Sequence, residues 1–232
     1  MCFSKFAVTR LTGLNIKSIF VRLEPIEIEK MTPPNINQRK RKFYEETSLV
    51  LGKICYRLGL KPNFLTALSV LSALIAGIFF WKGNFLWGVI WMLVTSIMDM
   101  LDGSTARAGN LGTVFGGVLD HVADRYGEFF ILAGITLSGA VAPGWGLFAL
   151  FGMLIASYTR AAAESVGRME NCAVGIMGRL EKFLVIMAGS LIEIYQPTGE
   201  FPKGGWLEFA LIIVGVTSLV TAVQRLIYAR KI

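Results

Sequence analysis

Eight residues between Asp99 and Asp124 could carry chemistry. They read Asp99-Met-Leu-Asp102-Gly103-Ser-Thr-Ala106-Arg107 and then, after eight further residues, Gly116-Gly-Val-Leu-Asp120-His-Val-Ala-Asp124. Four carboxylates thus lie within 26 residues of an otherwise apolar stretch, with only Arg107 and Arg125 as nearby compensation. An ionised group at membrane depth is costly, so it is normally paired, metal-bound or turned toward a wet cavity. Four of one sign point to a bound cation. On a helix, residues three or four apart share a face, so Asp99 with Asp102, and Asp120 with Asp124, each form a pair. If the two helices are antiparallel neighbours joined by the short Ala108–Leu111 turn, the pairs converge at one end. Hard oxygen donors of this kind suit Mg²⁺ or Mn²⁺, and four carboxylates suffice for two ions. Gly103 and Gly116 leave room for a backbone or a bulky ligand beside the metals. Ala106 keeps the adjoining turn small, and Arg107 offers a fixed cation suited to a phosphate.

The elements that must position these residues look like membrane spans. Of 232 residues, 54% are hydrophobic and only 17% charged, against about 25% charged in ordinary soluble domains. Mean hydropathy is +0.58. Asn63 to Trp81 is free of charge over 19 residues, close to the roughly 20 needed to cross a bilayer as helix. Six spans are expected, at about 62–82, 84–106, 112–139, 143–168, 178–196 and 206–229. The fold class is therefore all-α, a polytopic membrane protein with six transmembrane helices and an N-terminal interfacial amphipathic helix. Arg39, Lys40, Arg41, Lys42, Lys53, Arg57 and Lys61 precede the first span; Arg107, Arg168, Arg179, Arg230 and Lys231 fall on the same side, against Lys82 and Lys203 opposite. The positive-inside rule then places both termini and the aspartate end in the cytoplasm of a multi-pass cell-membrane protein.

Residues 1–61 form a separate cytoplasmic segment, and 62–232 the membrane domain. Lys5, Arg10, Lys17 and Arg22 interrupt any signal-peptide core. Pro33-Pro34 and the Arg39–Lys42 cluster read as a loop leading into a helix. Over Phe43–Leu60, the apolar residues Leu49, Val50, Ile54 and Leu58 recur near helical spacing beside Lys53 and Arg57. Such a helix can lie on an anionic leaflet, or the segment can be a solvated basic tail. Cys2, Cys55 and Cys172 have neither metal-ligand nor disulfide spacing. The net charge of +7 sits in loops beside spans, which topology explains better than nucleic acid does.

The eight residues match D-x2-D-G-x2-A-R-x8-G-x3-D-x3-D at every fixed position, and in this the chain resembles the CDP-alcohol phosphatidyltransferase family. The resemblance extends to the start of the first span, Lys61-Pro62-Asn63-Phe64-Leu65-Thr66, where the family's Asn and Thr lie near the nucleotide end of the site. It implies six transmembrane helices, a homodimer and a metal site at the cytoplasmic face. It also implies the reaction: a CDP-linked lipid (CDP-diacylglycerol or CDP-archaeol) gives up its lipid-bearing phosphoryl group to an alcohol, and CMP leaves. Carried over by position, Asp99, Asp102, Asp120 and Asp124 would be metal ligands, with Asp124 also the general base. Asn63, Thr66, Asp102, Gly103, Ala106, Arg107 and Gly116 would line the CDP-lipid site.

Arg160, Arg179, Lys182 and Arg225 recur near the same ends of the fourth, fifth and sixth spans. So many cations suit an acceptor that is itself anionic, a phosphorylated alcohol; anchoring of helix ends is the alternative reading. Ser157-Tyr158-Thr159-Arg160-Ala161-Ala162-Ala163-Glu164 and Val223-Gln224-Arg225 resemble the inositol-phosphate branch of the family. That branch carries a second basic residue where Ala162 stands, which keeps glycerol 3-phosphate, the acceptor of phosphatidylglycerophosphate synthases, as the alternative. From another class, a divalent-cation transporter would place its carboxylates near mid-span. His121, the single histidine, is expected in a helix contact, about 100° round the helix from Asp120. Arg125 and Glu128 are expected to pair with each other or with a neighbouring helix. Phe79, Phe80, Trp81, Phe85 and Trp87 read as an interfacial belt.

Overall fold

In a computed structural model, the described residues are 48–169, 172, 174–195 and 205–230, and they are helical with connecting turns. The loop at Pro33-Pro34 and the Arg39–Lys42 cluster lie outside them. The helices are α1 (residues 48–57), α2 (Pro62–Trp81), α3 (Phe85–Gly109), α4 (Val114–Leu137), α5 (Pro143–Ser165), α6 (Arg179–Tyr195) and α7 (Gly205–Ala229). Helix ends follow from local chemistry. Pro62 and Pro143 stand in the first turns of α2 and α5, where a missing N–H costs nothing. Gly59, Gly83 and Asn110, all at positive φ, close α1, α2 and α3. In each case the following N–H reaches back five residues, Leu60 to Cys55, Asn84 to Phe79 and Leu111 to Ala106, which is the Schellman arrangement. The Thr113 hydroxyl caps α4 by accepting from the Gly116 N–H at 2.9 Å.

Packing relies on small residues at helix crossings. A Cβ on Gly134 would stand 2.1 Å from the Gly77 carbonyl oxygen, so α2 and α4 meet backbone to backbone. Gly152 and Gly215 do the same for α5 and α7, and Gly189 takes Ala210 between α6 and α7. Close approach of this kind is how helices gain dispersion contacts where lipid provides no hydrophobic drive. The core then fills with Phe80, Met92, Ile131, Leu132, Ile135, Met153, Ile186, Leu207 and Leu211. Hydroxyls inside the bundle mostly donate to carbonyls of their own helix: Thr95 to Trp91, Thr136 to Leu132, Thr159 to Ile155, Ser190 to Ile186.

Two expectations change. The second and third spans of the sequence reading, here α3 and α4, barely touch along their lengths; both pack instead on α2, and α3 also meets α6. The aspartates converge because α3 and α4 are tied at one end by the 110–113 turn while α2 separates the rest. The aromatic belt also divides. Phe80 is fully buried, with Phe85 packed beside it and Gly88 under its ring, because the α2–α3 turn folds it inward. Trp81 and Trp87 remain exposed, the latter stacked on Phe79 with centroids 6.1 Å apart.

Among the described residues, four helices are long and apolar enough to cross a membrane: α2, α3, α5 and α7. Helix α4 carries Asp120, Asp124, Arg125 and Glu128, and α6 has 17 residues including Arg179, Glu181 and Lys182. Helix α1 turns Ser48, Gly52 and Cys55 inward, Gly52 against Ser104 of α3. Val50, Leu51, Ile54 and Leu58 point outward.

Candidate active site

The C-terminal half of α3 and the N-terminal half of α4 bring three of the four aspartates together. One carboxylate oxygen each from Asp99, Asp120 and Asp124 lies within 4.8 Å of the others. That is a set of hard oxygen donors at the spacing one divalent cation can bridge, so the residues fit Mg²⁺ or Mn²⁺. Asp102 faces α2 and is nearly fully buried; its carboxylate accepts from the Thr66 hydroxyl at 2.7 Å. Thr66 thereby orients a carboxylate, a task the sequence reading did not give it. On the same side, Asn63 sits beside Gly116, whose Cβ, if present, would stand 3.4 Å from the Asn63 Oδ1. The exposed Arg107 folds back over Gly103, its guanidinium 3.4 Å from where a Cβ would be, and Ala106 is half-buried next to it. Asn63, Gly103, Arg107 and Gly116 therefore rim the same end of α2, α3 and α4 as the aspartates.

A cavity of about 680 Å³ adjoins the carboxylates, walled by α4, α5, α6, α7 and the 174–178 loop. Arg160, Arg179, Lys182 and Arg225 all line it, and so do Asp124 and Arg125. These cations are held differently. Arg179 is the hinge: its Nη1 reaches Asp99 at 2.7 Å and also hydrogen-bonds Asp124, and its guanidinium lies 5.2 Å over the Phe183 ring. Lys182 is buried. The Arg160 Nε donates to Glu164 Oε1 at 2.9 Å, and the same oxygen accepts the Cys172 N–H at 3.0 Å. Arg225 donates from Nε to the Val174 carbonyl at 2.9 Å and from Nη1 to the Ala156 carbonyl at 2.5 Å. Arg225 thus ties the 174–178 loop down as the cavity's roof, and Glu164 holds the backbone at Cys172 just before it. Gly175, at φ 148°, passes so close to Thr221 that a Cβ would stand 2.3 Å from its methyl carbon.

Residues 60–224 match the family model for CDP-alcohol phosphatidyltransferase. The chain belongs to the CDP-alcohol phosphatidyltransferase family. Among the family's characterised members, it is 33% identical over 196 residues to archaetidylinositol phosphate synthase of Methanothermobacter thermautotrophicus, covering 84% of this chain and 96% of the relative. It is 29% identical over 195 residues to phosphatidylinositol phosphate synthase of Mycobacteroides abscessus, covering 80% and 84%. Of solved structures, it resembles Mycobacterium tuberculosis phosphatidylinositol phosphate synthase with CDP-DAG bound (TM-score 0.66, 26% identity, 78% of this chain and 92% of that one). The same enzyme in complex with manganese and citrate gives a TM-score of 0.67 at 26% identity, covering 79% and 88%.

Beyond the family's motif, the cavity wall holds residues that sequence reasoning left without a role there. Arg125 lies 2.8 Å from Glu128 and 3.6 Å from Asp124, and also donates to the Ser157 hydroxyl. Glu128 is almost fully buried. Their signal in the sequence is only the i, i+3 pairing, which a surface helix shows equally often. His121 lines the cavity with its side chain 65% exposed, 3.9 Å from Asp120, rather than packing in a helix contact. Its place on α4 turns it to the cavity, and among the described residues it stays largely uncovered.

Proposed function

We propose that this chain transfers the lipid-bearing phosphoryl group of a CDP-linked lipid to inositol phosphate, releasing CMP. The observation that carries the reading is that Asp124 and Arg179 belong at once to the carboxylate cluster and to the wall of the cationic cavity. A reaction between a metal-held pyrophosphate and an anionic alcohol needs such a junction. Bound Mg²⁺ or Mn²⁺ supplies Lewis-acid neutralisation of the pyrophosphate and of the departing CMP. Asp99, Asp102, Asp120 and Asp124 would hold it, with Asn63, Thr66, Gly103, Ala106, Arg107 and Gly116 framing the CDP-lipid headgroup. Arg160, Arg179, Lys182 and Arg225 take the acceptor's phosphate and aim its hydroxyl at the lipid-bearing phosphorus. Asp124 accepts the hydroxyl proton as the new P–O bond forms, and the bond to CMP breaks with its electrons on CMP. The inositol-phosphate acceptor is supported by the names of the two relatives and by the number of cations in the cavity.

The six-span, cytoplasm-facing arrangement is part of this proposal. Helix α4 has 24 residues, roughly 36 Å at 1.5 Å per residue, and packs on the apolar α2. Helix α6 has 17 residues and packs on α3 and α7. The excess of Lys and Arg near the aspartate end supports a cytoplasmic site. Helix α1, with apolar side chains outward beside Lys53 and Arg57, fits the leaflet surface, and residues 62–232 form the catalytic membrane domain, working as a homodimer.

The test is CMP release by purified protein with Mg²⁺ or Mn²⁺. The acceptor panel is inositol phosphate, glycerol 3-phosphate, inositol and serine, each with CDP-diacylglycerol and with CDP-archaeol. Turnover with inositol phosphate is expected. Turnover with glycerol 3-phosphate instead replaces the acceptor, and no CMP with any pair overturns the enzyme reading in favour of a cation-binding or transport role.

A further inference from the structure

One buried carboxylate in the bundle is not used by the proposed chemistry. Glu128 sits one helical turn beyond Asp124 on α4, with its side chain only 2% exposed. An uncompensated carboxylate at such depth costs several kcal/mol, so what surrounds it matters. Its Oε1 lies 2.8 Å from Arg125 Nη2 and 4.0 Å from Arg179 Nε. Its Oε2 makes no hydrogen bond among the described residues, and neither does Arg179 Nε. The same two arginines reach the other way: Arg125 to Asp124 at 3.6 Å, and Arg179 to Asp99 and Asp124. Two cations are thus shared between one buried glutamate and two of the carboxylates that would hold a divalent ion.

We propose that Glu128 is a positioning residue that holds Arg125 off Asp124, leaving that carboxylate more available to a divalent cation and the Arg125 guanidinium at the cavity wall for the acceptor's phosphate. The reasoning is electrostatic. A guanidinium and a divalent ion compete for the same carboxylate oxygens, and coupling between charges a few ångströms apart in a poorly screened interior is large. With Glu128 neutral, Asp124 becomes the main counter-charge of Arg125, which then closes on it and joins Arg179 in competing with the ion. The inference rests on the functional reading above for the acceptor, and on the geometry alone for the cation.

The experiment separates the two. Mn²⁺ binding to detergent-purified protein is followed by its spin-resonance signal, with no turnover required, and KM is measured separately for inositol phosphate and for CDP-lipid. Glu128→Gln, which keeps the shape and removes the charge, is expected to weaken Mn²⁺ binding roughly 10- to 100-fold, the range typical of groups that support metal ligands. At saturating Mn²⁺ it should also raise KM for inositol phosphate while leaving KM for CDP-lipid unchanged. Glu128→Asp, which restores the charge, should recover much of the loss. Arg125→Gln provides the opposite sign: with one competing cation removed, Mn²⁺ should bind more tightly than to wild type. If Glu128→Gln binds Mn²⁺ as wild type does, or if Glu128→Gln and Arg125→Gln both weaken binding in step with lowered melting temperature, the role is structural and the proposal falls. Should Glu128→Gln not fold, the sign of the Arg125→Gln change decides alone. Absence of CMP release by the wild type would overturn the enzymatic reading and leave the Mn²⁺ result standing.

Discussion

The hydroxyl of Thr66 donates to the carboxylate of Asp102 at 2.7 Å across the α2–α3 interface, with both side chains buried. It joins the start of the first long helix to the middle of the aspartate motif. Thr66→Val removes the donor at nearly constant volume and leaves Asp102 without its partner. The expected result is a fall in CMP release of roughly 10- to 100-fold and a stability loss of about 1–3 kcal/mol, both largely spared in Thr66→Ser. Rate and melting curves of the purified proteins check it; full activity in the valine variant would leave Asp102 held by other means.

Asp124 is assigned the proton from the attacking hydroxyl. Asp124→Asn should retain CDP-lipid binding and lose about 10²- to 10⁴-fold in turnover, the usual span for a general base. Equilibrium binding of labelled CDP-lipid beside initial rates makes the comparison. Unchanged turnover removes Asp124 from that role.

Chelation tests the cation requirement. EDTA should abolish CMP release, and added Mg²⁺ or Mn²⁺ should restore it, because the clustered Asp99, Asp120 and Asp124 oxygens have no bridging cation other than Arg179 among the described residues. Activity that persists through chelation and dialysis would contradict a metal-assisted transfer.

Arg160 and Arg225 both line the cavity, yet their neighbours predict different phenotypes. Arg225 holds two backbone carbonyls, Val174 and Ala156, a forked geometry lysine cannot reproduce. Arg225→Lys should raise KM for the phosphorylated acceptor and also speed proteolysis within the 174–178 loop. Arg160→Gln should raise the same KM without changing proteolysis, since Glu164 still accepts from the Cys172 N–H. Equal proteolysis in the two variants would show that Arg225 does not hold the roof.

At the crossing of α2 and α4, Gly134→Ala places a methyl group against the Gly77 backbone. Overpacking of this type costs about 1–3 kcal/mol, so the melting temperature and the recovery of folded protein should fall. Gly144→Ala, with nothing within 4 Å of the added carbon, is the control and should be silent. Thermal melts in one detergent decide it.

Much of the architecture is legible in the sequence because charge interrupts hydropathy chiefly toward helix ends and in or beside the motif. The expected 62–82 and 143–168 segments differ from α2 and α5 by one residue and three residues at their ends. The motif itself is readable because its spacing encodes helix faces. What escapes is partnership between helices. That α2 separates α3 from α4 depends on Gly77 meeting Gly134, and a glycine in an apolar run does not announce which neighbour it meets. Phe80 looks like its aromatic neighbours until the turn buries it. Arg125 and Glu128 resemble an ordinary helical ion pair; their importance comes from Arg179, more than fifty residues later in the chain. Contacts at that separation leave no local trace.

Among the six long helices α2 to α7, the two that fall short of crossing a membrane by length or apolarity are α4 and α6. They are also the two joined by Arg179, which bonds Asp124 on α4 from the first residue of α6. Each carries charge that it cannot balance alone, and the long Arg179 side chain reaching from α6 to Asp124 and Glu128 supplies a counter-charge to both helices. Assembly of the site and neutralisation of these two helices are therefore one event, and a substitution that removes Arg179 or Asp124 also takes a counter-charge from the helix opposite.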